Sequence, residues 1–389
     1  MIIFILASIS HATPSNRIPF HGSDYYVFGA DLAWLQGQYD HDFGLNHQHT
    51  GWGVWYSSSS NRATTDSYFS DLTTMGVRVI RVWLWENLEG LLFDGDSTFA
   101  TVTGVHSGMW TNLDYFMSRV STYNLNVYWC LSGSYLSPES GLHFSIVTSP
   151  SIRQSFINNA VIPFTNRYKG HPNIFAFDLM NEPESDIAGS NGNWSATGSD
   201  WTTMRIFLAS CVTSIHNTDS TRLVSCGSGW HSYQNLLSGL YTDLGLDFYD
   251  FHEYRDDGYI SNYSVLSTAL EGKPCILGEY GQAYGTWNDD TQNNADTNFI
   301  NNAWNNGYAG CLVWQYNYPG ATEVHTLINS NGSWRPVCYT MRNFAMTHAV
   351  PVVLSRFTAT VTDSIPESKV KSTGVVPNEI ISRSVLHRE

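Results

Sequence analysis

The sequence predicts an α/β fold, a single (β/α)8 TIM barrel, and three observations carry that prediction. Eight short apolar runs alternate with helix-period segments over about residues 25–348. Two of those runs end in a glutamate, which a strand buried on both faces has no use for unless its tip opens into a cleft. No Gly-x-Gly-x-x-Gly turn follows an early run, so the runner-up, a doubly wound open sheet, lacks its usual phosphate loop.

Taken in order, the expected strands are Tyr26–Asp31, Val77–Trp85, Asn126–Ser132, Ile174–Asn181, Arg222–Gly227, Phe248–His252, Pro274–Glu279 and Ala309–Gln315. The fourth and seventh, for example, hold the apolar runs Ile174-Phe-Ala-Phe-Asp-Leu-Met180 and Pro274-Cys-Ile-Leu-Gly278, which read as buried strands. The helices read between them are Thr64–Met75, Ser151–Tyr168, Trp201–Ile215, Asn293–Ala303 and Val337–Thr347. In Ser151–Tyr168, for example, Ile152, Phe156, Ile157, Val161, Ile162 and Phe164 recur at helical spacing. Two long polar loops, Trp34–Asn61 and Pro183–Asp200, follow the first and fourth strands. In a barrel they build the C-terminal rim, where active sites lie.

The chain ends read differently. Residues 1–13, an apolar stretch followed by small residues with a cleavage site near Ala12, read as a signal peptide, and the barrel as 14–350. Residues 351–389, without Trp or Tyr, read as a flexible C-terminal tail. Three Asn-x-Ser sequons at Asn193, Asn262 and Asn331 agree with secretion and glycosylation. Six cysteines, Cys130, Cys211, Cys226, Cys275, Cys311 and Cys338, are expected to pair as disulfides in a secreted chain, with 15 connectivities open. The expected location is extracellular.

Charge narrows the partner. With 34 acidic against 19 basic residues the net charge is −15, which argues against nucleic acid, anionic membrane or any polyanion. A neutral polysaccharide fits, and 14 Trp, 22 Tyr and 19 Phe offer rings for sugar faces as well as for a large core. The chain reads as a monomer that needs no cofactor and no metal. His41, His47 and His49 lie in the first long loop, but their spacing is a weak ligand pattern.

The chemistry rests on Glu182, in Phe177-Asp-Leu-Met-Asn-Glu-Pro183, and Glu279, in Ile276-Leu-Gly-Glu-Tyr-Gly281. On the fourth and seventh strands they would face each other across the mouth, as glycoside hydrolysis requires of its proton donor and nucleophile. Arg81 could keep a carboxylate charged, His252 and Tyr254 could orient the pair, and Asn181 could bind a sugar hydroxyl. Trp83, Trp85, Trp230 and Trp314 lie at or near strand ends as candidate sugar platforms, in competition with core packing. Glu86 and Glu89, in the loop after the second strand, read as ordinary surface charges.

On these residues the chain resembles glycoside hydrolase family 5. The family's Asn-Glu-Pro matches Asn181-Glu182-Pro183 and its nucleophile motif matches Gly278-Glu279-Tyr280-Gly281. Its arginine matches Arg81, its His-x-Tyr matches His252 and Tyr254, and its strand-eight tryptophan matches Trp314. The segment Val79-Ile-Arg-Val-Trp-Leu-Trp-Glu-Asn-Leu-Glu-Gly90, with Phe93-Asp94, is similar to the invertebrate endo-β-1,4-mannanases of that family. The resemblance implies a retaining endo-β-1,4-mannanase with Glu182 as acid/base and Glu279 as nucleophile. One departure stands at the third strand end, where many members carry His and this chain reads Tyr128-Trp-Cys-Leu-Ser-Gly133. The rival readings are an endo-β-1,4-glucanase with the same machinery and a non-catalytic carbohydrate-binding barrel. A barrel isomerase or aldolase would want a phosphate loop or a strand-end lysine, and Lys273 precedes its strand.

Overall fold

The computed structural model describes residues 17–35, 41–45, 53–95, 99–133, 142–189, 198–230, 232–283, 287–317 and 325–348. The expected leader and tail, Asn193, His47 and His49 lie outside them. Eight parallel strands close into a barrel in chain order: Val27–Asp31, Val79–Trp83, Asn126–Cys130, Ile174–Asn181, Leu223–Ser228, Tyr249–Tyr254, Cys275–Gly281 and Gly310–Val313. All eight expected strands are present, trimmed or extended at their ends.

Side chains divide by alternation. On the second strand Val79 and Arg81 point inward while Ile80 and Val82 pack outward against the helices. The floor of the interior is Val27, Val79, Tyr128, Phe175, Phe248, Ile276 and Leu312. An antiparallel hairpin, Ile18–Phe20 with Ser23–Tyr25, closes the N-terminal end, with Phe20 and Tyr25 against Phe175 at ring-centroid distances of 5.4 and 6.1 Å. The floor is thus plugged, and chemistry is confined to the opposite rim.

The helices expected near 64, 151, 201, 293 and 337 are present as Ser59–Thr74, the run from Pro150 to Arg167, Trp201–Thr218, Asp289–Asn305 and Pro336–Thr347. The second of these is not one α-helix. Pro163 has no N–H for the ladder, and a π-turn over Ile157–Val161 widens the helix just before it. Helix Ser107–Thr122 was not among the expected elements, although its buried Met109, Leu113, Phe116 and Val120 fall at helical spacing.

The cysteine expectation is corrected. All six are buried free thiols. They are scattered over four strands and two helices as small core residues, and where they bond it is weakly, as Cys338 Sγ does to the Leu327 carbonyl at 3.1 Å.

Candidate active site

Strict alternation along the seventh strand would place Gly278 inward and Glu279 outward. The register shifts there: Phe251 pairs with Leu277, and the next residue, His252, pairs with Glu279. The extra residue, Gly278, is a bulge that turns Glu279 into the barrel. A Cβ on Gly278 would overlap the Asp250 carboxylate, so only glycine fits. A second irregularity between Asp178 and Asn181 acts on the fourth strand. Glu182 then leaves that strand in the left-handed region, at φ 46° and ψ 60°, and its side chain enters the mouth.

These two backbone devices bring the glutamates together. One ligand atom each of Glu182, His252 and Glu279 lie within 4.8 Å of one another. His252 Nδ1 is 2.8 Å from Glu182 Oε1 and 3.6 Å from Glu279 Oε2. Tyr254 donates its hydroxyl to Glu279 Oε2 at 2.6 Å. Arg81, fully buried, donates Nη1 to Glu279 Oε1 at 2.7 Å and to Asp31 Oδ1 at 3.0 Å. Its Nη2 reaches Asp178 Oδ2 at 2.7 Å and Asn181 Oδ1 at 2.8 Å. Arg81, Asn181, His252 and Tyr254 are thereby all brought to the glutamate pair.

The two carboxylates are treated unequally. Burial pushes Glu182 up to about 7, against the pull of Arg81 and a hydrogen bond from Trp230. Glu279 instead sits in an ion pair with Arg81 and under the Tyr254 hydroxyl. Burial drives His252 down to about 4, so its imidazole is neutral around pH 7. Below the pair, Asp31 and Asp250 are pushed well above the usual carboxylate range, chiefly by burial. Burial alone would lower Arg81, but Asp178, Asp31 and Glu279 hold it firmly charged.

The four tryptophans separate. Trp314 is half-buried at the mouth, and Trp83 packs beside it at 6.1 Å. Trp230, just past the fifth strand, is 40% exposed and hydrogen-bonds Glu182. Trp85 is corrected: it lies in the outer core with its ring edge-on to Phe156 at 5.4 Å and Phe164 at 5.6 Å, away from the mouth. A platform role for it is ruled out by that packing.

Several site residues escaped sequence reasoning. Trp34 completes an aromatic cluster with Trp83 and Trp314, at 4.8 and 5.8 Å. Glu86 and Glu89 are not surface charges. Glu86 accepts the Trp34 indole N–H, and Glu89 accepts the backbone N–H groups of Phe43 and Gly44, both carboxylates being buried. Glu86 thus braces the cluster, and Glu89 staples the first rim loop. Asp178 anchors Arg81 and also accepts the Gly227 N–H at 3.0 Å. Its inward place on the fourth strand was the available signal.

Comparison with known proteins agrees with this geometry. The family description Cellulase (glycosyl hydrolase family 5) matches residues 145–320. A mannan endo-1,4-beta-mannosidase of Cryptopygus antarcticus is 25% identical over 339 residues, covering 77% of this chain and 83% of that protein. One of Mytilus edulis is 22% identical over 335 residues, covering 77% and 86%. Among solved structures, the beta-mannanase of Mytilus edulis has a TM-score of 0.64 at 20% identity, covering 85% of this chain and 96% of that one. The beta-1,4-D-mannanase of Cryptopygus antarcticus has a TM-score of 0.63 at 21% identity, covering 85% and 93%. At these identities the structural likeness is one of fold.

Proposed function

We propose that this chain, a glycoside hydrolase resembling family 5 and its invertebrate mannanases, is a secreted endo-β-1,4-mannanase working by retention. The observation that carries the mechanism is the distance of at most 4.8 Å between ligand oxygens of Glu182 and Glu279. Retaining enzymes hold their carboxyls about 5–5.5 Å apart, whereas inverting ones leave about 6.5–9.5 Å for a water.

In this reading Glu279 attacks the anomeric carbon as the glycosidic C–O bond breaks. Glu182 gives its proton to the departing oxygen, leaving a glycosyl ester on Glu279 and a carboxylate at Glu182. Water then adds to the anomeric carbon, its proton passing to Glu182, and Glu279 departs. The raised Glu182 suits a group that must hold a proton near neutrality. The Arg81 pair and the Tyr254 hydroxyl aim the nucleophile. His252 bridges the two carboxylates without adding charge at neutral pH. Asn181, adjoining Glu182, would bind a sugar hydroxyl, with Trp314, Trp83 and Trp230 as platforms.

Mannan as substrate is supported by the relatives' names. The family description that matches residues 145–320 is that of a cellulase, which keeps β-1,4-glucan as the second reading. Reducing ends released from galactomannan and from soluble cellulose, by the wild type and by Glu279→Gln, decide between them. Release from mannan, abolished in the variant, supports the proposal. Release mainly from cellulose replaces the substrate, and sugar binding without release favours a binding barrel. Among the described residues no helix is long and apolar enough to cross a membrane. Exposed Asn262 and Asn331 leave two sequons open to glycosylation on secretion.

A further inference from the structure

Two residues past Glu182, a second glutamate is almost wholly buried, at 1% exposure. Glu184 lies in the 3-10 turn Pro183–Asp186. Its Oε1 accepts Ser228 Oγ at 2.6 Å, Asn235 Nδ2 at 3.0 Å and the Tyr241 hydroxyl at 2.5 Å. Its Oε2 accepts the Gly229 backbone N–H at 3.1 Å. Asn235 Nδ2 in turn reaches the Gly229 and Trp230 carbonyls at 3.2 and 3.1 Å. One carboxylate therefore gathers residues 228–230, the end of the fifth strand and the two residues after it.

That segment is the wall behind Glu182. The Gly229 Cα faces the Glu182 side chain so closely that a Cβ would overlap its Cγ and carboxyl carbon. Trp230, held at φ 46°, supplies a hydrogen bond to the same carboxyl. The Glu182 backbone N–H binds the Gly227 carbonyl at 2.9 Å, on the same strand end. Of its donors, Ser228 and the Gly229 N–H belong to that wall, and Asn235 also holds the Gly229 and Trp230 carbonyls, the two residues that meet the Glu182 side chain.

We propose that Glu184 is a positioning residue for the acid/base Glu182, acting through Gly229 and Trp230 on the proton-donating half of the reaction. The inference rests on the reading of Glu182 as acid/base. Its chemistry is specific to a carboxylate. The Gly229 N–H can only donate, the Asn235 NH2 is held as a donor by the Gly229 and Trp230 carbonyls, and the two address different oxygens of Glu184. A glutamine at 184 must therefore turn its NH2 toward one of them, whichever way it is flipped.

The test is kcat/KM of wild type, Glu182→Ala, Glu184→Gln and Tyr241→Phe on two substrates. One is an unactivated β-1,4-manno-oligosaccharide; the other is a 2,4-dinitrophenyl β-mannoside, whose leaving group needs no proton. Glu184→Gln is expected to lose about tenfold or more on the oligosaccharide and less than about twofold on the aryl glycoside. Tyr241→Phe, which deletes one donor and keeps the ring, is expected to show the same selectivity with a smaller loss. Equal losses on both substrates, or none on either, overturn the proposal. Should Glu184→Gln fail to fold, Tyr241→Phe decides by the same criterion. If Glu182→Ala itself shows no selectivity, the acid/base reading fails; if it does and the other two do not, only the role of Glu184 fails.

Discussion

Arg81 Nη1 lies 2.7 Å from Glu279 Oε1, and the same guanidinium also meets Asp31, Asp178 and Asn181. One cation thus orders three carboxyl groups inside the barrel. The arrangement needs a planar fork, because a single ammonium cannot address four partners in different directions. Arg81→Lys is expected to lower kcat by on the order of 10²-fold through misplacement of Glu279. Arg81→Met, which strands the carboxylates, is expected to cost about 3–5 kcal/mol of stability. Steady-state kinetics and denaturant melts separate the two.

Removing the proposed nucleophile is the most severe change expected. Glu279→Ala should reduce kcat by about 10⁴-fold or more. Its thermal midpoint should fall modestly, since Arg81 keeps Asp31 and Asp178. Activity within tenfold of wild type would dismiss the proposed role.

The pH profile should report Glu182. A proton donor works only while protonated, so kcat/KM on unactivated oligosaccharide should fall as pH rises through about 7. On the dinitrophenyl glycoside that falling limb should be absent. A limb common to both substrates would assign it to another group.

Stability carries the same signature with its own sign. Burial raises Glu182 from an ordinary 4.5 to about 7, so the folded state holds its proton more tightly than the unfolded chain. This contribution is complete below about 4.5 and is lost as pH rises toward about 7. Relative to Glu182→Gln, the wild type should therefore lose stability between about pH 4.5 and 7. Paired thermal melts over that range check it, and a constant difference would contradict it.

The tryptophans should divide by location. Trp314→Ala is expected to raise KM by about three- to tenfold with little effect on folding. Trp85→Ala should cost about 3–5 kcal/mol of stability, because it opens a cavity between Phe156 and Phe164. Binding isotherms with manno-oligosaccharides and denaturant curves distinguish the outcomes.

By itself the sequence determined the order of eight strands and the two glutamates at the ends of the fourth and seventh. Those are local properties: apolar runs of strand length, and short motifs that need no knowledge of the rest of the chain. The tertiary structure decided which way the side chains face. The bulge at Gly278 and the left-handed Glu182 each override alternation, and a one-residue change of phase sends a side chain to the opposite face. Burial was equally out of reach, being set by distant residues. Glu86 and Glu89 look like surface charges until Trp34 and the Phe43–Gly44 backbone surround them, and the burial of Glu184 is set by the Ser228–Tyr241 donors. The same holds for Trp85, turned to the outer core, and for six cysteines that stay single because the fold distributes them among strands and helices.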